Sequence, residues 1–250
     1  MADDRKRLGR GGWLLPVLLL LGACAGTAKV PVETLTRPDV AAVLTEPSVL
    51  DVYDPLEPFN RGVYEFNARF DRYVFLPAVR AYEFITPSFV QDRVADFIRH
   101  LSEPFTFANS LLQGRGPRAG RAATRFIVNT LFTLGLYDLA GARGVERRPE
   151  DFGQTLGVWG VGDGPYLVLP ILGPSNLRDA TGTGVTAGTW FVAIPPDIST
   201  TLAYRLTTFG LFPIDTRRRT EFRYFGTDSP FEYELVRLLY TEKRRFEIAN

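Results

Sequence analysis

Beyond its first two dozen residues the chain contains no apolar run of about 18 residues, so no helix in that part is expected to span a bilayer. It also lacks any long alternation of apolar and polar residues, which argues against a β-barrel. What remains are amphipathic helices cut short by 23 Gly and 18 Pro, and long uninterrupted coiled coils are excluded. Such helices can lie in a membrane interface or pack on one another, and their pattern alone leaves both open.

The first helix is expected from Asp54. Phe59, Val63, Phe66, Phe70, Tyr73 and Val74 fall within one arc of the helical wheel, with Arg61, Glu65 and Arg72 on the far side. Asp54-Pro55-Leu56-Glu57 has the form of a capping box, and Pro58 suggests a short first turn before the main helix. A second helix is predicted over 87–112, with Val94, Phe97, Ile98 and Leu101 on one face and Asp92, Asp96 and Arg99 opposite. Glu103-Pro104 is expected to kink or divide it. Near the end, Ser229-Pro230-Phe231-Glu232 reads as another capping box. It opens a helix whose Phe231, Leu235, Leu238, Leu239 and Phe246 share a stripe.

The predicted helix over 118–139 has a broad apolar surface from Ala123, Phe126, Ile127, Leu131 and Leu134. Arg118, Arg121, Arg125, Asn129 and Thr133 form a narrow polar stripe. This is either a solvated stripe on a core helix or a stripe facing phosphates or a water-filled path. All but three of the 29 basic residues are Arg, with Lys only at positions 6, 29 and 243. An Arg-rich genome accounts for that bias, as does Arg's planar fork, which suits phosphate better than the point charge of Lys.

The start of the chain has its own logic. Arg5, Lys6, Arg7 and Arg10 precede the apolar run from Trp13 to Leu21, and Gly22-Ala23-Cys24 follows. A basic region, a short apolar run and small residues describe a secretory signal peptide at 1–23. Leu21-Gly22-Ala23-Cys24 resembles the bacterial lipobox, in which the Cys thiol carries a diacylglycerol and becomes an acylated N-terminus. The alternative is a plain signal peptide that leaves a free thiol, a liability in an oxidising compartment. Two or three acyl chains would tether the exported chain firmly to a membrane. Ala25 stands where Asp usually retains such lipoproteins at the inner membrane, so the outer membrane is expected by that resemblance. Residues 24–52 carry scattered Pro and no sustained period and read as the tether.

Catalytic chemistry finds little support. With one His and one Cys, the chain cannot build a zinc site, a redox pair or a disulfide framework from its own side chains, and no cofactor is implied. The glycines of Trp159-Gly160-Val161-Gly162-Asp163-Gly164-Pro165 have neither the spacing nor the following helix of a phosphate-binding loop, and serve turns or close backbone approach instead. There is no G-x-S-x-G elbow. His100 beside Ser102 or Ser110 could form a phospholipase-like pair, against the plainer reading of a surface or cap-region histidine. A net charge of +1 gives no bulk field for nucleic acid.

Taken together, these residues resemble the MlaA/VacJ family of outer-membrane lipoproteins. The resemblance begins at Asp54-Pro55-Leu56-Glu57-Pro58-Phe59-Asn60-Arg61, continues through Glu103-Pro104, Asn109-Ser110-Leu111-Leu112-Gln113-Gly114 and Arg125-Phe126-Ile127-Val128-Asn129-Thr130, and is densest at Asp151-Phe152-Gly153-Gln154-Thr155-Leu156-Gly157. It runs on through Gly162, Gly164-Pro165-Tyr166, Leu169-Pro170 and Gly173-Pro174-Ser175 to Arg178-Asp179, and spans roughly residues 53–247. It implies a mainly α fold over 53–250: a compact, ring-like arrangement of amphipathic helices with Gly/Pro-rich loops, embedded in the membrane interface without spanning helices. It further implies a channel that lets phospholipids strayed into the outer leaflet of the outer membrane pass to a soluble periplasmic lipid carrier, and association with a trimeric porin. The chain differs from the best-known members in its longer tether.

On that footing Arg118, Arg121, Arg125 and Asn129 are expected to contact headgroups in the lumen or at its mouth. Moving a headgroup through hydrocarbon without such partners is costly. The segment marked by Gly162, Gly164, Pro165, Pro170, Gly173 and Pro174 is expected to form a rigid hairpin-like loop shaping the pore, and Cys24 to carry the lipid on the periplasmic side. The runner-up function is a lipoprotein that binds or scaffolds other envelope proteins without moving lipid.

Overall fold

In a computed structural model of the chain, residues 52–227 and 229–250 are described; the expected signal peptide, Cys24 and the expected tether up to residue 51 lie outside the described residues. The fold is mainly α. Helix α1 (Glu57–Phe70) passes through a π-turn at Asp71–Phe75 into α2 (Leu76–Ile85), followed by α3 (Ser88–Leu112), α4 (Gly116–Thr133), α5 (Leu139–Ala142) and α6 (Phe152–Val158). An antiparallel hairpin of β1 (Tyr166–Leu169) and β2 (Gly173–Asn176) pairs Tyr166 with Asn176 and Leu169 with Gly173. Then come α7 (Leu177–Ala193), α8 (Pro196–Ser199), α9 (Leu202–Leu206), a second π-turn at Thr207–Leu211, α10 (Phe212–Arg218) and α11 (Glu232–Ala249). No described helix is long and apolar enough to cross a membrane.

The hairpin is held by α1 through two asparagines. Asn60 donates to the Tyr166 carbonyl at 3.0 Å and accepts from the Val168 amide at 2.9 Å; Asn67 donates to the Leu169 carbonyl at 3.0 Å and accepts from the Ile171 amide at 2.7 Å. Seven residues of helix rise about 10 Å, as do three residues of strand, so the two amides meet the free edge of β1 in register. Around this clamp lies a small aromatic core of Tyr64, Tyr166, Val168 and Tyr233, with Tyr64 and Tyr233 edge to face at 5.7 Å.

Helices α6 and α7 touch backbone to backbone. A Cβ on Gly182 would stand 2.3 Å from the Gly153 nitrogen, so these two positions require glycine. This accounts for the first glycine of the Asp151-to-Gly157 motif.

Several local expectations are corrected. Neither predicted capping box caps its helix: α1 and α11 start without a side-chain cap, because the carboxylates are taken by distant partners. Asp54 accepts from Asn60, Tyr233 and Arg237, and Glu232 accepts from Tyr64 and from residues 225 and 227. Pro104 does not divide α3. The helix runs unbroken from Ser88 to Leu112 with the proline inside it, and the neighbouring buried Glu103 holds Arg125 and Arg147. The helix expected to reach 139 ends at Thr133, where Leu134 and then Gly135 turn the chain with positive φ. Gly135 lies flat on the His100 ring, and a Cβ there would come within 2.3 Å of it.

Candidate functional site

The distribution of polarity is the reverse of that in a water-soluble domain. Among the described residues 24 polar or charged side chains are buried against 11 hydrophobic ones, while 36 large hydrophobics are exposed. On α1 the buried stripe is Asn60, Tyr64, Asn67 and Asp71, at i, i+4, i+7 and i+11, whereas Phe59, Phe66 and Tyr73 of the aromatic arc face outward. On α11 the buried positions are Glu232, Tyr233, Arg237, Thr241 and Arg244, and the apolar stripe of Phe231, Leu235, Leu239 and Phe246 is exposed. Contiguous exposed apolar surface on this scale marks contact with lipid or with another apolar surface.

The interior is a set of ion clusters that tie distant elements together. Arg244 of α11 makes two bonds to Asp151 at the start of α6 and two to Asp179 of α7, all between 2.8 and 3.1 Å. Asp179 also accepts from Arg178, Asn176 and Tyr240. Burial alone would raise its carboxyl pKa, but the bonds from Arg244 and Arg178 outweigh burial and hold it below the usual range. Arg217 of α10 grips Asp71 in the π-turn with two nitrogens, and Asp215, wholly buried, takes Arg218 and Arg219. Asp54, at the entry to the domain, gathers Asn60, Tyr233 and Arg237.

The arginine stripe on α4 belongs to this framework in part. Arg125 is buried and donates to Glu103 at 3.0 Å, to Asp138 at 2.7 Å and to the Val145 carbonyl at 2.6 Å. Burial opposes its charge, yet the two carboxylates raise its pKa, and Asp138 is held low in turn. Asn129, also buried, donates to Asp138 and accepts from the Ala140 amide at 2.9 Å. Arg118 pairs with the buried Glu150, and Arg121 is exposed. The structure therefore brings Arg125 and Asn129 together around one carboxylate, and sends Arg118 and Arg121 elsewhere.

The expected hairpin-like segment contains β1 and β2, closed by a tight turn at Ile171, where the Leu172 amide donates to the Pro170 carbonyl at 2.8 Å. Pro165 precedes β1 and Pro174 lies within β2. Gly164 and Gly173 take positive φ values of 66° and 86°, whereas Gly162 does not. Asp163 between the glycines pairs with Arg178. His100 is neither at the surface nor in a cap. It is buried, its ring stacks on Phe126 at 4.9 Å, and Nε2 lies 3.2 Å from the Thr130 hydroxyl; burial lowers its pKa. Sequence reasoning placed Asn60, Glu103 and Asp179 within the shared motifs without giving them a role, and missed Asn67 and Arg244. The one local signal for Asn60 and Asn67 was their spacing of seven on a single helix face.

Comparison with known proteins bears on what this arrangement serves. A sequence model of the family described as MlaA lipoprotein matches residues 52–247. An uncharacterized protein of Rickettsia felis is 40% identical over 142 residues, 56% of this chain and 57% of that protein. The intermembrane phospholipid transport system lipoprotein MlaA of Haemophilus influenzae is 38% identical over 138 residues, 54% of this chain and 55% of that protein. The protein of that name from Escherichia coli K12 is 38% identical over 134 residues, 52% and 53% of the two chains. The chain thus spans about half the length of the curated relatives it matches. A solved structure described as "Structural basis for maintenance of bacterial outer membrane lipid asymmetry" superposes with a TM-score of 0.64 at 31% identity, covering 79% of this chain and 100% of that one.

Proposed function

The chain belongs to the MlaA lipoprotein family, and from that premise we propose that it removes phospholipids from the outer leaflet of the outer membrane and passes them, through an amphipathic path, to a soluble periplasmic carrier. The observation that carries this reading is the inverted polarity. Exposed aromatic and aliphatic side chains suit acyl chains, and a charged interior with no spanning helix among the described residues suits a body lying within the membrane. The domain encloses a ring around the lipid path, sits beside a trimeric porin, and is tethered on the periplasmic side through a lipid on Cys24 and the segment 24–52.

Within that reading the α4 stripe divides its work. Arg125 and Asn129, locked on Asp138 and Glu103, stiffen the wall of the path, Arg118 braces it through Glu150, and the exposed Arg121 meets headgroups at the mouth. The hairpin with Gly162, Gly164, Pro165, Pro170, Gly173 and Pro174 narrows the path, made rigid by the two asparagine clamps. We assign no catalysis: the His100 ring is packed between Phe126 and Gly135, which suits a structural role better than proton transfer to a substrate.

The test is genetic. Deletion of the gene is expected to let phospholipid accumulate in the outer leaflet, and expression of this chain to clear it. Absence of accumulation would overturn the transport reading and leave a scaffold for other envelope proteins.

A further inference from the structure

The arginines of α4 are largely occupied by carboxylates, but a second group is arranged around open space. Between α3 and α10 lies a hollow of about 330 Å³, lined by Asp92, Arg93, Asp96 and Arg99 on the first helix and by Arg218 and Arg219 at the end of the second. That volume falls at the lower end of the range that accepts a small ligand. Four guanidinium groups face the lining carboxylates Asp92 and Asp96, with Asp215 behind Arg218 and Arg219, so one positive charge is left uncompensated.

The ion pairs here leave donors to spare. Arg93 and Arg99 share Asp96 at 3.2 and 3.0 Å, each through a single nitrogen, and Arg219 reaches the buried Asp215 through Nε alone. A guanidinium has five N–H donors in a fixed fork that matches the oxygens of a phosphate. One exposed aromatic side chain stands a helical turn from the lining. Phe89 precedes Arg93 by one helical turn on the same face of α3 and is 68% exposed. A free anion would need the arginines only; a molecule with both a phosphate and acyl chains would use both surfaces.

We propose that this hollow is a phosphodiester subsite, in which Arg93, Arg99, Arg218 and Arg219 hold the headgroup phosphate of a phospholipid while Phe89 beside it meets its acyl chains. This deepens the transport reading and rests on it. The shared chemistry with inorganic phosphate is the anion, and the aromatic surface beside it is what favours the lipid.

The full chain, held in amphipol, is titrated calorimetrically with dihexanoyl phosphatidylglycerol, with deacylated glycerophosphoglycerol and with inorganic phosphate. The lipid is expected to bind more tightly than either acyl-free probe. Because each charge-assisted hydrogen bond is worth about a tenfold change in Kd or more, Arg93→Gln/Arg99→Gln is expected to weaken lipid binding at least tenfold. Arg69→Gln, a change to an exposed arginine paired only with Glu65, should leave it unchanged. Since Arg218 and Arg219 also neutralise Asp215, their forks are tested by Arg218→Lys/Arg219→Lys, which keeps the charge, and the expected result is again weaker lipid binding. Unchanged affinity in both double variants overturns the proposal, and so does inorganic phosphate binding as tightly as the lipid, which would make the hollow a free-anion site. In a deletion strain, failure of the wild-type chain to clear outer-leaflet phospholipid would count against the transport reading. Clearance by the wild type and equally by Arg93→Gln/Arg99→Gln would count against the subsite alone.

Discussion

Replacing Arg244 by Met tests whether the charged interior holds the domain together. The variant removes two bonds to Asp179, two to Asp151 and one to Glu247. The Asp151 side chain is 49% exposed, so its share is small, about 1 kcal/mol or less after solvent screening. Asp179 is buried, and breaking a buried pair costs about 3–5 kcal/mol because the remaining charge is stranded. Arg178, Asn176 and Tyr240 still bond that carboxylate, which places the expected loss near the lower end, about 3 kcal/mol. For a domain of this size that is a fall of roughly 6–12 °C in Tm.

The pH dependence makes the reasoning refutable. In the wild type Asp179 has a lowered pKa, so its contribution is present above the unfolded carboxylate value near 4 and is lost as pH falls through the lower folded value. In Arg244→Met the stranded carboxylate is destabilised as the anion, its pKa rises relative to the wild type, and protonation on acidification removes the buried charge. The gap between the two proteins should therefore narrow from pH 7 to pH 4, as measured by circular dichroism melts of the full chain in detergent. Adding Asp179→Asn to the variant should recover part of the loss at pH 7. An equal gap at both pH values, together with no recovery in the double variant, would refute the account.

Three further outcomes follow from the packing. Asn67→Ala should cost about 2–3 kcal/mol by orphaning the Leu169 carbonyl and the Ile171 amide, seen as faster hydrogen exchange at Ile171 while α4 amides stay protected. Gly182→Ala places a methyl group against the Gly153 backbone and should destabilise by about 3 kcal/mol in thermal melts, because neither helix can yield by moving a side chain alone. Arg217→Lys keeps the charge but forfeits the two-nitrogen grip on Asp71 and the bonds to the Thr220 and Phe222 carbonyls; a loss of about 2 kcal/mol in chemical unfolding is expected, against about 0.5 kcal/mol or less for Arg69→Lys on the exposed surface.

Sequence periodicity located the helices better than it located their surroundings. The 3.6-residue pattern of α1 and α11 is real, but such a pattern says only that two faces differ, and it is the same whether the apolar face meets a core or a membrane. Phe59 and Phe66 point outward because the inward direction is taken by Asn60, Tyr64 and Asn67, and the two asparagines find their partners on a hairpin about a hundred residues away in sequence. The capping boxes failed for the same reason: Asp54 and Glu232 match a local rule, and long-range donors compete successfully for their oxygens. A long-range bond does not by itself exclude a cap, since Asp151 keeps one while also holding Arg244. Asp151 caps α6 through the Gln154 amide and Asn176 caps α7 through the Asp179 amide. The α4 stripe was legible as a polar line on an apolar helix, but its partners Glu103 and Asp138 sit on other elements, so its pairing could not be read from spacing.

The excess of arginine acquires a physical meaning in this interior. Apart from Asp215, which bonds its near neighbours Arg218 and Arg219, the buried carboxylates described above join elements that are far apart in sequence, and a single cation must reach several oxygens at once: Arg244 links α6, α7 and α11, and Arg125 links α3, α4 and the segment around Asp138 and Val145. A planar fork with five donors can do this, while an ammonium group on a flexible stem offers three donors from one point. With apolar side chains facing outward, the folded body gains little from burying them in water-excluded contacts of its own, so specificity must come from directional polar bonds inside. That inverts the usual division between core and surface, and beside the α3–α10 hollow it leaves Arg93 and Arg99, each bonded to Asp96 through a single nitrogen, with donors that this pairing does not consume.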